Sequence, residues 1–414
     1  MWQTNCRVAL TLLLRSERSS ACLTMQLTKS GRRFTVGIVA GETSGDLLGS
    51  RLMAALRDLI PDVRYLGVGG DSMVKAGLET VAPFRFMSVN GFVDPIKKLP
   101  RFLRIKKALY KEFLSVDLVI GVDFNVFNLL LERSLKKRGI PTVHYVSPSV
   151  YAWRRRRAKG VGKSADIVLT LFPFEPPFYE RYNVAAEFVG HPLADEIEPV
   201  GSIDDANRRR ISRRELGIDE ERYVIAALPG SRTAEINVLA RLFVKSCKKA
   251  VSSALVVIPC VNSRARAELE RSLKDMPGLP EIKIVGNASR AAISACDIAI
   301  VKAGTSTLEA MLLRRPMVVA YKLGAFTYGI VRRLIKIPYV ALPNILGGRK
   351  LVPEFLQKEA TVTNLSEALV DLAENGGEEM KEFELIHRSL RRDASKRAAE
   401  AVLRLYKSRS GDWS

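Results

Sequence analysis

The run Val36-Gly37-Ile38-Val39-Ala40-Gly41-Glu42-Thr43-Ser44-Gly45-Asp46 constrains the fold more than any other stretch of the chain. Val36 to Ala40 is continuously apolar, the pattern of a parallel strand covered on both faces. The run then breaks at a small polar turn, and a helix is expected to restart at Leu47-Leu48-Gly49. Gly41 and Gly45 let the backbone bend sharply and approach a ligand closely. A helix N-terminus beyond such a turn favours a polar or anionic ligand above the sheet. Glu42 and Ser44 are therefore candidate binding residues together with the two glycines. The spacing is not the dinucleotide fingerprint G-x-G-x-x-G, which argues against a nicotinamide cofactor. An ordinary strand-to-helix connection with no ligand is the competing reading.

The theme recurs along the first half. Strands are expected at 35–40, 63–68, 118–122, 142–146, 167–171 and 186–189, with helical patterns such as 47–59 and 129–138 between several of them. Strand and helix in alternation imply a parallel sheet with right-handed crossovers. The second half restarts the theme, with strands expected at 223–228, 254–258, 282–285, 298–301 and 317–320 and helices at 235–250, 265–273 and 307–313. A length of 414 residues suits two domains. The divisions expected are an extension over 1–33, a Rossmann-like domain over 34–190, a polar linker over 191–221, a second Rossmann-like domain over 222–378 and a helical segment over 379–414. The fold class is α/β, with the two domains expected to face each other across a cleft at the carboxyl ends of their strands, where open α/β sheets bind ligands.

Charge narrows the partners. Lys and Arg number 65 against 44 Asp and Glu, a formal net charge of +21. Such an excess favours nucleic acid, an anionic membrane surface or phosphorylated substrates. Part of it lies in a basic amphipathic stretch, where Phe102, Leu103, Ile105, Leu109, Phe113 and Leu114 mix with Lys97, Lys98, Arg101, Arg104, Lys106, Lys107 and Lys111, as on helices that lie on an anionic membrane interface. A second basic cluster is Arg154–Arg157 with Lys159. For both, a solvated helix face is the plainer alternative. No zinc finger, RRM signature or aromatic stacking platform supports nucleic acid, which is not expected as a partner. The five cysteines form no C-x-x-C pair, which argues against a disulfide framework and fits a reducing compartment. The three histidines give no metal-ligand spacing. Within 1–33, Val8–Leu14 is apolar but too short to span a bilayer. A disordered or artefactual extension, with Met25 as the true start, is favoured over a signal peptide, which would show a cleavage site. No later run is long enough for a transmembrane helix.

Four segments carry candidate chemistry. Leu228-Pro229-Gly230-Ser231-Arg232 ends a strand and enters a helix, so Arg232 and the turn amides suit a diphosphate. Arg232 capping a neighbouring carbonyl is the alternative. Lys302-Ala303-Gly304-Thr305-Ser306-Thr307-Leu308-Glu309 also follows a strand and opens a helix. It offers phosphate donors, with Glu309 one turn further in to accept from ribose hydroxyls. A capping box with Ser306 as cap and Glu309 as its partner is compatible with this. Asp123 stands at the carboxyl end of a strand, placed to take a proton as general base or to cap the next helix. His144–Trp153, which includes Ser147, supplies hydroxyls and aromatics for a site wall, and His144 alone reads as a structural histidine.

In this order the segments resemble the lipid-A-disaccharide synthases, glycosyltransferases of the GT-B type. The matching stretches are 40–46 (AGETSGD), 121–123 (GVD), 144–154 (HYVSPSVYAWR), 171–175 (LFPFE), 189–195 (VGHPLAD), 228–232 (LPGSR), 304–309 (GTSTLE) and 342–349 (LPNILGGR). The resemblance implies inverting transfer from UDP-2,3-diacylglucosamine to 2,3-diacylglucosamine 1-phosphate, giving a tetraacyl disaccharide 1-phosphate and UDP. It implies Asp123 as base, with Arg232, the 304–309 turn and Asn344 on the nucleotide-sugar side, and no metal or cofactor. It further implies a peripheral enzyme on the cytoplasmic face of the inner membrane and leaves a homodimer open, through an exchanged C-terminal segment. Other GT-B enzymes using UDP-GlcNAc, a UDP-GlcNAc epimerase, and a non-catalytic basic membrane- or RNA-binding protein are the alternatives.

Three departures stand out. The family usually continues G-I-D as A-P-D-F-N, whereas here Phe124-Asn125-Val126-Phe127-Asn128 follows, so the second acid is missing at Val126. The segment Ser88–Asp94 replaces a more apolar one and bears on acyl-chain selectivity. The extension over 1–33 has no counterpart in typical bacterial members, which leaves organellar targeting open.

Overall fold

The computed structural model describes residues 33–87, 95–148, 157–199, 205–322 and 338–410. The extension over 1–32, the segment Ser88–Asp94, the aromatics Tyr151 and Trp153 and the arginines 154–156 lie outside the described residues. The chain divides into two compact units. One comprises residues up to Pro192 together with Arg392 onward, and the other runs from Leu193 to Arg391.

The first unit is built on seven parallel strands: β1 (Thr35–Ala40), β2 (Arg64–Val68), β3 (Leu78–Thr80), β4 (Leu118–Val122), β5 (Thr142–Tyr145), β6 (Ile167–Thr170) and β7 (Ala185–Phe188). Their order is β3-β2-β1-β4-β5-β6-β7. Every residue of β1 and β4 is buried, as the continuous apolar runs require. Alternation then sorts the side chains by face. Ile38, Ala40, Ile120 and Val122 pack with Leu52 and Leu56 of helix Thr43–Leu59 and with Ala398 and Val402 of helix Ala394–Ser410. Val39 and Val119 pack on the opposite face with Ile105 and Leu109 of helix Pro95–Glu112 and with Leu131 and Leu135 of helix Asn125–Lys136.

The C-terminal region expected as one segment is therefore two helices with different allegiances. Met380–Leu390 belongs to the second unit, and Ala394–Ser410 completes the core of the first.

The second unit carries six parallel strands: β8 (Val224–Leu228), β9 (Leu255–Cys260), β10 (Glu281–Gly286), β11 (Ile298–Lys302), β12 (Met317–Tyr321) and β13 (Glu354–Leu356). Their order is β10-β9-β8-β11-β12-β13. The stretch read as a polar linker contains helix Asp205–Glu215. Its Arg213 is buried, pairs with Asp297 at 2.9 Å and donates from Nε to the Ala295 carbonyl at 2.9 Å. Asp297 also accepts from the Val224 amide at the start of β8, at 2.8 Å. This helix is pinned to the sheet by a cation rather than by an apolar face, so hydropathy could not reveal it.

Candidate active-site residues at two strand-order switch points

In both sheets the strand order reverses once, between β1 and β4 in the first and between β8 and β11 in the second. The connections on either side of such a point leave in opposite directions and open a crevice above the strand ends. The turn Gly41-Glu42 and the residues Asp123-Phe124 follow β1 and β4. Pro229–Arg232 and Ala303-Gly304 follow β8 and β11.

At the first switch point the helix starts at Thr43, one turn before the expected Leu47. Glu42 and Ser44 are exposed at its entrance, while Gly45 is buried, 3.4 Å from the Val122 carbonyl at the position a Cβ would take. Gly41 meets a different demand. A Cβ there would stand 2.3 Å from the Phe124 ring, so this glycine makes room for an aromatic side chain.

Asp123 and Phe124 both have left-handed backbone, φ 48° and 45°. For side-chain-bearing residues this costs about 1–3 kcal/mol each and persists only where neighbours enforce it. Asn128 enforces it. Its side-chain amide donates to the Asp123 carbonyl at 2.8 Å and lies 3.2 and 3.3 Å from the carbonyls of Val39 and Val122. The Asp123 amide in turn donates to the Tyr145 carbonyl at 2.8 Å.

The Asp123 carboxyl is held above the ordinary aspartate value by burial, against the opposing pull of His144, the Phe124 amide and the Asn125 side chain. A raised value suits a group that must take up a proton near neutral pH. Asn125 Nδ2 donates to Asp123 Oδ1 at 3.0 Å. Asn125 Oδ1 lies 3.0 Å from His144 Nε2, and His144 Nδ1 lies 2.8 Å from Glu132 Oε1. His144 is thus a satisfied buried histidine, as its sequence context suggests, but its partner reaches the site. Gly121 makes this contact sterically feasible, since a Cβ there would lie 2.0 Å from Glu132 Oε1.

At the second switch point Arg232 extends into solvent, its side chain 74% exposed, and approaches Glu235 at 3.6 Å. Glu235 organises the turn. It accepts from the Ser231 and Arg232 amides at 3.2 and 3.3 Å and pairs with Lys302 at 3.1 Å. Gly230, at φ 116°, is required by both conformation and space, because a Cβ would stand 2.4 Å from Glu235 Oε2.

Glu235 and Lys302 both fall within the segments read from sequence, but nothing in the spacing pairs them. A lysine closing an otherwise apolar strand was the available signal. The helix Thr305–Leu312 starts with Gly304 in the cap position and no side-chain cap, which replaces the expected box at Ser306. Thr305 is exposed and Ser306 half-buried, and the first amides of any helix lack intrahelical partners and suit an anion.

With the residues in place, similarity decides the family. A family described as Lipid-A-disaccharide synthetase matches residues 36–405. A lipid-A-disaccharide synthase of Azotobacter vinelandii is 44% identical over 380 residues, covering 89% of this chain and 97% of the relative. One from Pseudomonas putida W619 is 45% identical over 379 residues, covering 90% of this chain and 99% of the relative. The chain belongs to the lipid-A-disaccharide synthase family. Among solved structures, a UDP-GlcNAc 2-epimerase from Neisseria meningitidis bound to UDP-GlcNAc superposes with a TM-score of 0.62 at 12% identity, covering 90% of this chain and all of the other. Acinetobacter baumannii MurG gives 0.52 at 14%, with the same coverage. These likenesses establish the GT-B-type α/β fold that the lipid-A-disaccharide synthases were expected to have.

Three family-motif residues expected at the site have their polar groups engaged elsewhere. Ser147 is buried, its hydroxyl 2.7 Å from the buried Tyr179 hydroxyl. Beside it Glu175 is pushed up to about 8 by burial, despite hydrogen bonds from Phe172, Ser147 and Leu171. Asn344 is fully buried. Its Oδ1 accepts from the Leu351 and Val352 amides at 2.6 and 2.8 Å, and its Nδ2 donates to the Val352 carbonyl at 2.9 Å and to Glu354. Glu309 accepts from Ser289 Oγ at 3.3 Å and approaches Arg290 at 3.5 Å. Among the described residues no three His, Cys, Asp or Glu side chains gather where a metal ion could be held.

Proposed function

We propose that this protein joins UDP-2,3-diacylglucosamine to 2,3-diacylglucosamine 1-phosphate with inversion at the anomeric carbon. The observation that carries the reading is the complementary chemistry of the two switch points, within a chain of this family. One presents the partly buried carboxylate of Asp123. The other presents an exposed arginine beside a helix N-terminus.

Asp123 takes the proton of the acceptor hydroxyl as its oxygen bonds to the anomeric carbon. The bond from that carbon to the phosphate oxygen breaks, and UDP leaves with the electron pair. Arg232 and the amides of Thr305 and Ser306 hold the diphosphate and stabilise the charge that develops on it. Thin-layer separation of radiolabelled acceptor incubated with UDP-diacylglucosamine tests the reaction. A labelled disaccharide distinct from the acceptor, with equimolar UDP, is expected, and free sugar or an epimer without disaccharide would overturn the assignment. Arg232→Ala is expected to raise the donor KM about tenfold to a hundredfold while leaving the acceptor KM near its original value, since a charge-assisted bidentate contact contributes about 1.5–3 kcal/mol.

The lipid substrates call for access to a membrane, and the helix Pro95–Glu112 supplies the surface. A groove of about 460 Å3 beside it is lined by Leu103, Lys106, Lys107, Tyr110, Lys137 and Arg138. Leu103 is 57% exposed, and among the described residues none of the four cations is ion-paired. No described helix is long and apolar enough to cross a membrane. An exposed leucine among cations without an acidic partner suits an anionic lipid surface, with Arg138 Nε donating to the Tyr110 hydroxyl at 3.0 Å. Co-flotation with phosphatidylglycerol vesicles is expected at low salt and should fall in a Lys106→Glu/Lys107→Glu variant. Equal flotation of both proteins would remove this surface from consideration.

A further inference from the structure

We infer that Asn125 and His144 are positioning residues for Asp123, with Glu132 as their buried anchor; the inference rests on Asp123 being the base. The geometry is a chain of three contacts crossing from β5 through the first residue of helix Asn125–Lys136 to the site. Glu132 Oε1 meets His144 Nδ1 at 2.8 Å, His144 Nε2 meets Asn125 Oδ1 at 3.0 Å, and Asn125 Nδ2 meets Asp123 Oδ1 at 3.0 Å.

Its polarity follows from the end that does the chemistry. A carboxylate only accepts hydrogen bonds, so the Asn125 group facing an ionised Asp123 is its NH2. That turns Asn125 Oδ1 toward His144, and His144 Nε2 must then carry a hydrogen. Nδ1 is left to share a proton with Glu132. An amide that would otherwise be free to flip is locked with its donors toward the base.

The anchor is a poor choice for stability. Glu132 is 1% exposed, its second oxygen, Oε2, has no hydrogen-bond partner, and burial drives its carboxyl above the ordinary glutamate value. Buried ion pairs are often matched or bettered by apolar residues of similar volume, and a buried polar atom without a partner calls for an explanation. The neighbours that face His144 and Asp123 otherwise offer little charge. Lys136 lies on the helix Asn125–Lys136 with Glu132, the aromatic rings of Phe102, Phe124 and Phe127 cluster at its first turn, and Glu42 on the turn after β1 is solvent-exposed. Orientation of Asp123 is the role left for a costly, fully internal acid–histidine pair.

The full-length enzyme tests this with Asn125→Ala, Asn125→Asp and Asp123→Asn, each followed across pH. Asn125 is half-buried at the start of a helix, where both alanine and aspartate are well tolerated, so the thermal midpoint should hold. Asn125→Ala is expected to lower kcat about tenfold with KM changed less than about twofold, as loss of orientation does. It should also move the acidic limb of kcat/KM to higher pH, because the carboxylate loses a donor. Asn125→Asp has the same shape but faces Asp123 with a second carboxylate, so it should be slower still, with a larger shift in the same direction. A purely structural Asn125 would tolerate the isosteric aspartate. Unchanged kcat and pH limb in both Asn125 variants, with Asp123→Asn inactive, would overturn the positioning role and leave the base intact. Activity in Asp123→Asn would overturn both.

Discussion

Asp123→Asn should lower kcat about a thousandfold, the range expected when a general base is removed, while donor binding measured by calorimetry stays within about twofold. The variant keeps the size and the left-handed turn, since Asn tolerates that backbone as well as Asp does. The groups assigned to the diphosphate, Arg232, Thr305 and Ser306, belong to the other unit of the chain. Asn fails only in that it cannot accept the acceptor's proton. The missing acid at Val126 sharpens the test. Val126 is 70% exposed and offers no carboxylate to take over, so residual turnover cannot be credited to a neighbour at that position. Near-normal kcat would show that the proton goes elsewhere.

Asn344→Ala should fail in a different way. The side chain satisfies two amides and a carbonyl of the 351–352 segment and bonds Glu354, which itself accepts from the Val340 and Ala341 amides at 2.9 and 3.1 Å. Truncation leaves several buried groups unpaired, at about 1–3 kcal/mol each. A total of about 3–5 kcal/mol, among the largest single-residue effects, corresponds to a fall of about 10 °C in the thermal midpoint of a unit this size. Below that midpoint, donor affinity should be close to normal. A stable variant that no longer binds UDP-sugar would instead make Asn344 a ligand group.

Parallel strands covered on both faces were readable because their apolar runs are unbroken, and β1, β4 and β8 fall where those runs lie. The short strands β3 and β13 were not readable. Each has three residues, mostly only part-buried or exposed, and so lacks a continuous apolar run. The helix start at Thr43 was missed because Thr43, Ser44 and Gly45 look like turn residues when only hydropathy is weighed.

That Asp123 and Arg232 follow strand ends is legible because it is a local property of sequence. Glu132, His144 and Asn125 form a unit only once the helix Asn125–Lys136 lies beside β5, and no spacing along the chain announces that. Phe124 and Gly41 are likewise 83 residues apart, and the need for glycine at one is set by the ring at the other. Ser147 and Asn344 show the converse. Residues that recur in family motifs can be spent on holding loops in place.

The helix Ala394–Ser410 has a consequence for how the protein is made. Its Ala398, Ala399, Ala401 and Val402 are part of the packing that covers β1 and β4, yet the ribosome reaches them only after all of residues 193–391. At roughly 5–20 residues per second this leaves the nascent first unit with an apolar face uncovered for about 10–40 seconds, so its final cooperative folding step comes after the second unit has been translated.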